Sequence, residues 1–122
     1  MNRPHKKLDV WKESVALATE IYKITNNFPK SEIYGIVSQM RRAAVSVPSN
    51  SAEGAARNSD KEFAQFLNIA GGSLSELDTQ VEIAANLGYV TVEIKEVVDL
   101  KISAISAKLA GLIMNIRKRI AA

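Results

Sequence analysis

Apolar residues return every three or four positions over four stretches of the chain, and the polar residues between them mark where each stretch stops. In the first stretch Trp11, Val15, Ala18, Tyr22 and Thr25 fall at helical spacing, and Leu17, Ile21 and Ile24 widen the face. This predicts a helix that follows Leu8, with Asp9 as N-cap, and runs to about Asn26. Pro29 disfavours helical geometry at Phe28, and Ser31 is placed to cap the next helix. A second stripe, from Ile33 through Val37, Met40 and Ala44 to Val47, meets Pro48 and ends near Gly54. The third opens on Ser59-Asp60-Lys61-Glu62, a capping box with acidic residues in the positive first turn, and continues through Phe63, Leu67, Leu74 and Val81 to Gly88. The fourth begins near Thr91, and Ile94, Val98, Ile102, Ile105, Leu109, Leu112, Ile116 and Ile120 carry it to the end of the chain.

The last two helices approach ~40 Å in length at the ordinary helical rise. Short connections between long helices favour antiparallel neighbours, so the expected fold is all-α, an antiparallel up-down-up-down four-helix bundle. Residues 1–122 form a single domain, with residues 1–8 a flexible basic tail. The apolar faces are broader than one small bundle needs: the fourth helix carries Val92, Val97 and Leu100 off its main stripe. Surplus apolar surface of this kind points to self-association.

Pro48 interrupts the second stripe, and on its own a proline more often ends a helix than bends one. The register nevertheless survives it. Arg42, Ser46, Ser49, Glu53 and Arg57 follow steps of three and four, along one side of a continuous helix with Glu53 and Arg57 spaced for an i,i+4 pair, while Ala43, Val47, Asn50 and Gly54 make a small-residue side suited to close packing. The expectation is a kinked helix with a partly enclosed polar stripe, in which serine hydroxyls or a water satisfy the Ala44 carbonyl that Pro48 leaves free. Arg41 and Arg42 sit mid-helix. Pairing with Glu53 of another chain or with a carboxylate of the third helix is one role for them, and phosphate binding is the other.

Composition removes several function classes. No cysteine is present, which excludes disulfides and thiolate chemistry and fits a reducing, cytoplasmic setting. The N-terminus lacks the apolar core of a secretory signal, and no apolar run is long enough for a membrane span. His5 is the only histidine, and the chain has no metal-binding His motif and no phosphate-binding glycine loop. Glu76, Asp78 and Glu82 are better read as a solvated acidic face than as a metal site, and Gly71-Gly72 as a point of close helix packing. Neither catalysis nor a cofactor is expected.

A further motif set crosses most of the chain. The run FPKSEIYGIVSQMRRAAVSVPSNSAEGAAR, followed by FAQFLNIAGGSLSELDTQ, resembles the four-helix-bundle proteins encoded in intervening sequences of bacterial 23S ribosomal RNA genes. It is also similar to the accessory variability protein of diversity-generating retroelements. The resemblance implies a ring-like homopentamer and, for the retroelement protein, binding of nucleic acid and a reverse transcriptase. Ser51 stands where the family usually has an aliphatic residue, and the resemblance favours the kinked helix over a loop at Pro48.

Charge then gives the bundle a direction. Residues 1–57 hold nine Lys/Arg against five Asp/Glu, residues 58–99 two against eight, and residues 100–122 five against none. Folded up and down, this gathers Arg3, Lys6, Lys7, Lys12, Arg57, Lys61, Arg117, Lys118 and Arg119 at one pole. Glu20, Glu32, Glu76, Asp78, Glu82, Glu93, Glu96 and Asp99 collect at the other. Part of this placement simply complements the helix dipoles. A shared basic rim in an oligomer would also be a platform for phosphates, and the scarcity of free aromatic residues favours backbone contact over base stacking. The expected partners are further copies of the chain and RNA or DNA. The alternative is an oligomeric scaffold that binds another protein through its acidic pole or outer faces.

Overall fold

A computed structural model describes residues 2–122. Four α-helices account for most of it: α1 Asp9–Thr25, α2 Ile36–Ala55, α3 Asp60–Asn86 and α4 Val92–Ala121. Short 3-10 turns cover Pro4–Lys7 and Lys30–Glu32, and no strand occurs among the described residues. Helices consecutive in sequence pack against each other, and α1 closes the square against α4. Cross-links fix the antiparallel sense: Arg119 near the end of α4 meets Asp60 at the start of α3, and Lys108 of α4 meets Glu13 of α1. At the opposite pole the connections interlock, with the Phe28 and Tyr89 rings 5.3 Å apart and the Tyr89 hydroxyl donating to Glu32 at 3.0 Å.

The core is the set of apolar stripes read along the chain. Leu17 and Ile21 of α1, Met40 and Val47 of α2, Leu67 and Leu77 of α3, and Ile105 and Ile116 of α4 are all fully buried. Each such side chain contributes roughly 1.5–3 kcal/mol through removal of its surface from water, so this shared interior dominates the stability of the fold. No helix is long and apolar enough to cross a membrane.

The Ser59 cap agrees with expectation, the helix expected to begin near Thr91 is capped by that residue's hydroxyl, and two expected caps differ. Ser59 accepts a hydrogen bond from the Glu62 amide at 3.1 Å, and Thr91 accepts one from Ile94 at 3.2 Å. Asp9, by contrast, is the first helical residue and Leu8 holds the N-cap position, so the carboxylate lies in the positive first turn of α1. Ser31 caps nothing: it is drawn into the 3-10 turn, and α2 starts after Gly35.

Helix α2 passes through Pro48 without breaking. The side chains around the proline bond carbonyls one turn back, although not the expected one. Asn50 donates to the Ser46 carbonyl and hydroxyl, each at 2.9 Å, and the Ser51 hydroxyl donates to the Val47 carbonyl at 2.8 Å. None of the side-chain bonds among the described residues reaches the Ala44 carbonyl. Ser51 is thus polar yet fully buried, its hydroxyl consumed inside its own helix.

Close packing falls at Gly54. A Cβ there would lie 2.8 Å from Phe66 Cβ and 3.2 Å from the Phe63 carbonyl, so the α2–α3 approach depends on its absence. Gly71 and Gly72, expected to mark such a contact, have nothing within 4 Å of a Cβ position, and the same holds for Gly111 on α4.

Candidate nucleic-acid interface

Four separate pieces of chain build the basic pole. The Pro4–Lys7 turn, in the segment expected as a free tail, has Pro4 in its first turn and folds against α1 and α2. His5 sets its ring edge-on to Trp11 at 5.0 Å between centroids, which leaves Lys6 and Lys7 pointing to solvent. Lys12 lies on the first turn of α1, Lys61 on the first turn of α3, and Arg117, Lys118 and Arg119 on the last turns of α4. Arg3 precedes the turn and Arg57 follows the end of α2, so all nine predicted cations share this end of the bundle.

They are not equivalent. Arg57 Nη2 binds Glu53 Oε1 at 2.8 Å while its guanidinium lies 4.8 Å over the Phe66 ring. Arg119 grips Asp60 with two bonds, Nε to Oδ2 at 3.2 Å and Nη2 to Oδ1 at 3.1 Å. That pair holds the Asp60 carboxyl below its ordinary range and the Arg119 guanidinium above its own, in both cases chiefly through the hydrogen bonds. Arg3, Lys6, Lys7, Lys12, Lys61, Arg117 and Lys118 are exposed, and none has a carboxylate within ion-pair distance among the described residues. These seven are the cations available to an external anion. Asp9 and Glu62 interleave with them and dilute the field.

Sequence reasoning missed two features of this end. Lys108 joins α4 to α1 through Glu13, and that contact raises its pKa. A groove of about 570 Å³ runs between α3 and α4, floored by Ile113 and Met114, with Asn68, Arg117 and Lys118 on its edge. Ala110, Met114 and Lys118 at i, i+4, i+8 carried its helical half in the sequence, whereas its α3 side depends on which helices become neighbours.

The mid-chain residues have a different geometry. Arg41 donates from Nε to Thr25 Oγ1 at 3.0 Å, reaches the Tyr22 carbonyl at 3.5 Å and stacks 4.7 Å over the Tyr22 ring. Its charge therefore sits at the negative C-terminal end of α1, where a cation is favoured, with no α3 carboxylate within ion-pair distance among the described residues. Arg42 points to solvent with no such partner. Ser46 meets Ser73 of α3 at 2.8 Å, and with Asn50 it forms a polar seam between α2 and α3; Ser49 lies outside that seam, exposed, and Pro48 is buried. Glu53 faces solvent and is occupied by Arg57.

A sequence model of the family described as 23S rRNA-intervening sequence protein matches residues 6–111. The chain belongs to this family. A crystal structure from Bacteroides thetaiotaomicron, of a protein with unknown function from the S23 ribosomal protein family, superimposes on the fold with a TM-score of 0.77. It is 25% identical in sequence, and the match covers 85% of this chain and 97% of that one. No curated protein matches the chain. For this member of the intervening-sequence family, then, the fold is shared over nearly its whole length, and function rests on its own surface. Among the described residues no group of three or more acidic or histidine side chains is arranged to hold a metal ion.

Proposed function

We propose that this protein is a non-enzymatic oligomer that binds the phosphate backbone of RNA or DNA through its basic pole. The observation that carries the reading is the convergence of seven exposed, carboxylate-free cations from four chain segments at one end of the bundle. The aromatic residues there are already engaged, Trp11 by His5, Phe66 by Arg57 and Phe63 in packing against the core beside Gly54, so base stacking is not the expected mode of contact. Binding by Lys and Arg alone is expected to be weakly sequence-specific and strongly salt-dependent.

Copies associate, in this reading, through the outward side of α4. Val97, Leu100, Ala104, Gly111 and Met114 lie on the side opposite the core stripe, and all are exposed, Leu100 at 72% and Met114 at 58%. A helix apolar on two opposite faces buries one in its own bundle and the other against a neighbour. Parallel copies would merge their basic poles into one rim, as in the ring-like homopentamer that the family resemblance implies.

Fluorescence anisotropy with labelled duplex DNA and structured RNA tests this. The expected result is an affinity that falls linearly with salt on logarithmic axes, with a slope no steeper than about −6 per engaged chain if all seven cations meet phosphates. Absence of binding at low salt would overturn the reading.

A further inference from the structure

The other half of the molecule carries a second, chemically opposite surface. Between α3 and α4, toward the acidic pole, an open groove of about 840 Å³ has Ile83, Ile102 and Ala107 among its apolar lining and Asp78, Glu82 and Asp99 among its polar lining. Within it two carboxylates from different helices converge on one ammonium: Lys95 Nζ is 3.1 Å from Glu82 Oε2 and 2.7 Å from Asp99 Oδ2. Asp78, one turn before Glu82, has no cation within ion-pair distance among the described residues. The groove thus has an apolar strip, a net negative rim, and a seat whose geometry already accepts a primary ammonium. Ile83 is 45% exposed, although it lies where an apolar side chain from outside would be sheltered from water.

We infer that the α3–α4 groove docks a cationic amphipathic helix of a partner protein, placing apolar side chains along Ile83 and Ala107 and a Lys or Arg at the Glu82–Asp99 seat. Charge complementarity selects the occupant: phosphate backbones are repelled from a rim with three carboxylates and one lysine, and a purely apolar helix leaves that rim unanswered. A helix laid into a groove between two helices matches its apolar stripe to the floor and its flanking cations to the walls. Lys95 acts as an internal placeholder, competing with the incoming cation for the same oxygens. This surface is independent of the basic pole, so the two activities fail separately.

The test uses the full chain and a labelled 18-residue synthetic peptide of Lys and Leu in helical repeat, with an all-Lys peptide and a Glu/Leu peptide of the same pattern as comparisons. The Lys/Leu peptide is expected to bind wild-type protein, the all-Lys peptide at least tenfold more weakly and the Glu/Leu peptide not at all. Lys95→Ala empties the seat and is expected to tighten Lys/Leu binding several-fold, a gain that a loss of folding cannot produce. Glu82→Gln with Asp99→Asn, and separately Ile83→Ser, are expected to weaken it at least tenfold while helicity and nucleic-acid binding persist. Equal binding of the Lys/Leu and all-Lys peptides, no response to these substitutions, or no binding to wild type and Lys95→Ala would overturn the proposal. So would a change in the sedimentation of the protein alone on groove substitution, which would make the groove a contact between copies.

Discussion

The four glycines inside helices should respond to alanine with opposite signs. At Gly72 and Gly111 a Cβ meets nothing within 4 Å, so alanine costs no packing and recovers helix propensity, about 1 kcal/mol per site. Gly71 is equally open. At Gly54 the same gain is opposed by a contact of 2.8 Å to Phe66 Cβ and one of 3.2 Å to the Phe63 carbonyl, neither of which belongs to a flexible side-chain end. Moving α3 away from α2 costs about 1–3 kcal/mol, so Gly54→Ala is net neutral to destabilising by ~2 kcal/mol. For a chain of this length 1 kcal/mol corresponds to roughly 4 °C in Tm, which separates Gly72→Ala and Gly54→Ala by about 4–12 °C. Thermal unfolding followed by circular dichroism at several protein concentrations, with sedimentation velocity alongside, reads both the sign and any assembly. Gly54→Ala melting as high as Gly72→Ala would refute the close α2–α3 approach. If the outer side of α4 joins copies, Gly111→Leu leaves the isolated chain folded but weakens its association. An unchanged sedimentation profile for Gly111→Leu would remove that side from the interface.

Other expected outcomes follow from single contacts. Leu77→Ala, at a fully buried position, should cost about 2–5 kcal/mol by denaturant titration. Gln80 is buried with its Oε1 unpartnered and only a 3.3 Å bond from Nε2 to Glu76, so Gln80→Met should raise stability by about 1 kcal/mol in the same assay. The Tyr89 hydroxyl donates to Glu32, and that bond raises its pKa. The folded state therefore holds the phenol proton more tightly, and the contribution is complete below pH ~10 and lost as pH rises through the folded value. Tyr89→Phe should flatten the alkaline limb of the stability–pH profile. The Arg119–Asp60 pair acts at the other end: a lowered Asp60 pKa contributes above pH ~4 and is lost as pH falls through the folded value, so Arg119→Ala should flatten the acid limb.

The helices were legible because burial imposes a 3.6-residue period, and Ser59 and Thr91 mark their starts by chemistry local to four residues. The failures lie where local chemistry had competitors. Asp9 fits a cap by type, but the preceding turn feeds Leu8 into that position, and the 3-10 turn at Lys30–Glu32 takes Ser31. Gly71-Gly72 read as a close contact because composition does not say which side of a helix meets a neighbour; Gly54 holds that role because it faces Phe63 and Phe66. The basic pole could be collected from charge segregation and antiparallel order alone. Of the cations already spent, Arg57 on Glu53 was readable from its i,i+4 spacing, whereas Arg119 on Asp60 depends on helices that become neighbours only in the fold. The acidic pole, with Asp78, Glu82 and Asp99 in it, was collected the same way, but the seat was not legible, since Glu82 and Asp99 meet at Lys95 only after α3 and α4 pack.

The central claim is that nucleic acid binds at one end of the bundle, and a pair of charge reversals measures it. Arg117→Glu with Lys118→Glu removes two of the free cations at the basic pole without touching the Arg119–Asp60 pair. Lys23→Glu with Lys30→Glu makes the same change in charge on exposed lysines toward the opposite pole. In salt titrations by anisotropy, the first pair should weaken binding and reduce the slope by about 2, while the second leaves the slope unchanged. Equal losses from both pairs would contradict the account, because binding would then follow net charge rather than the basic pole.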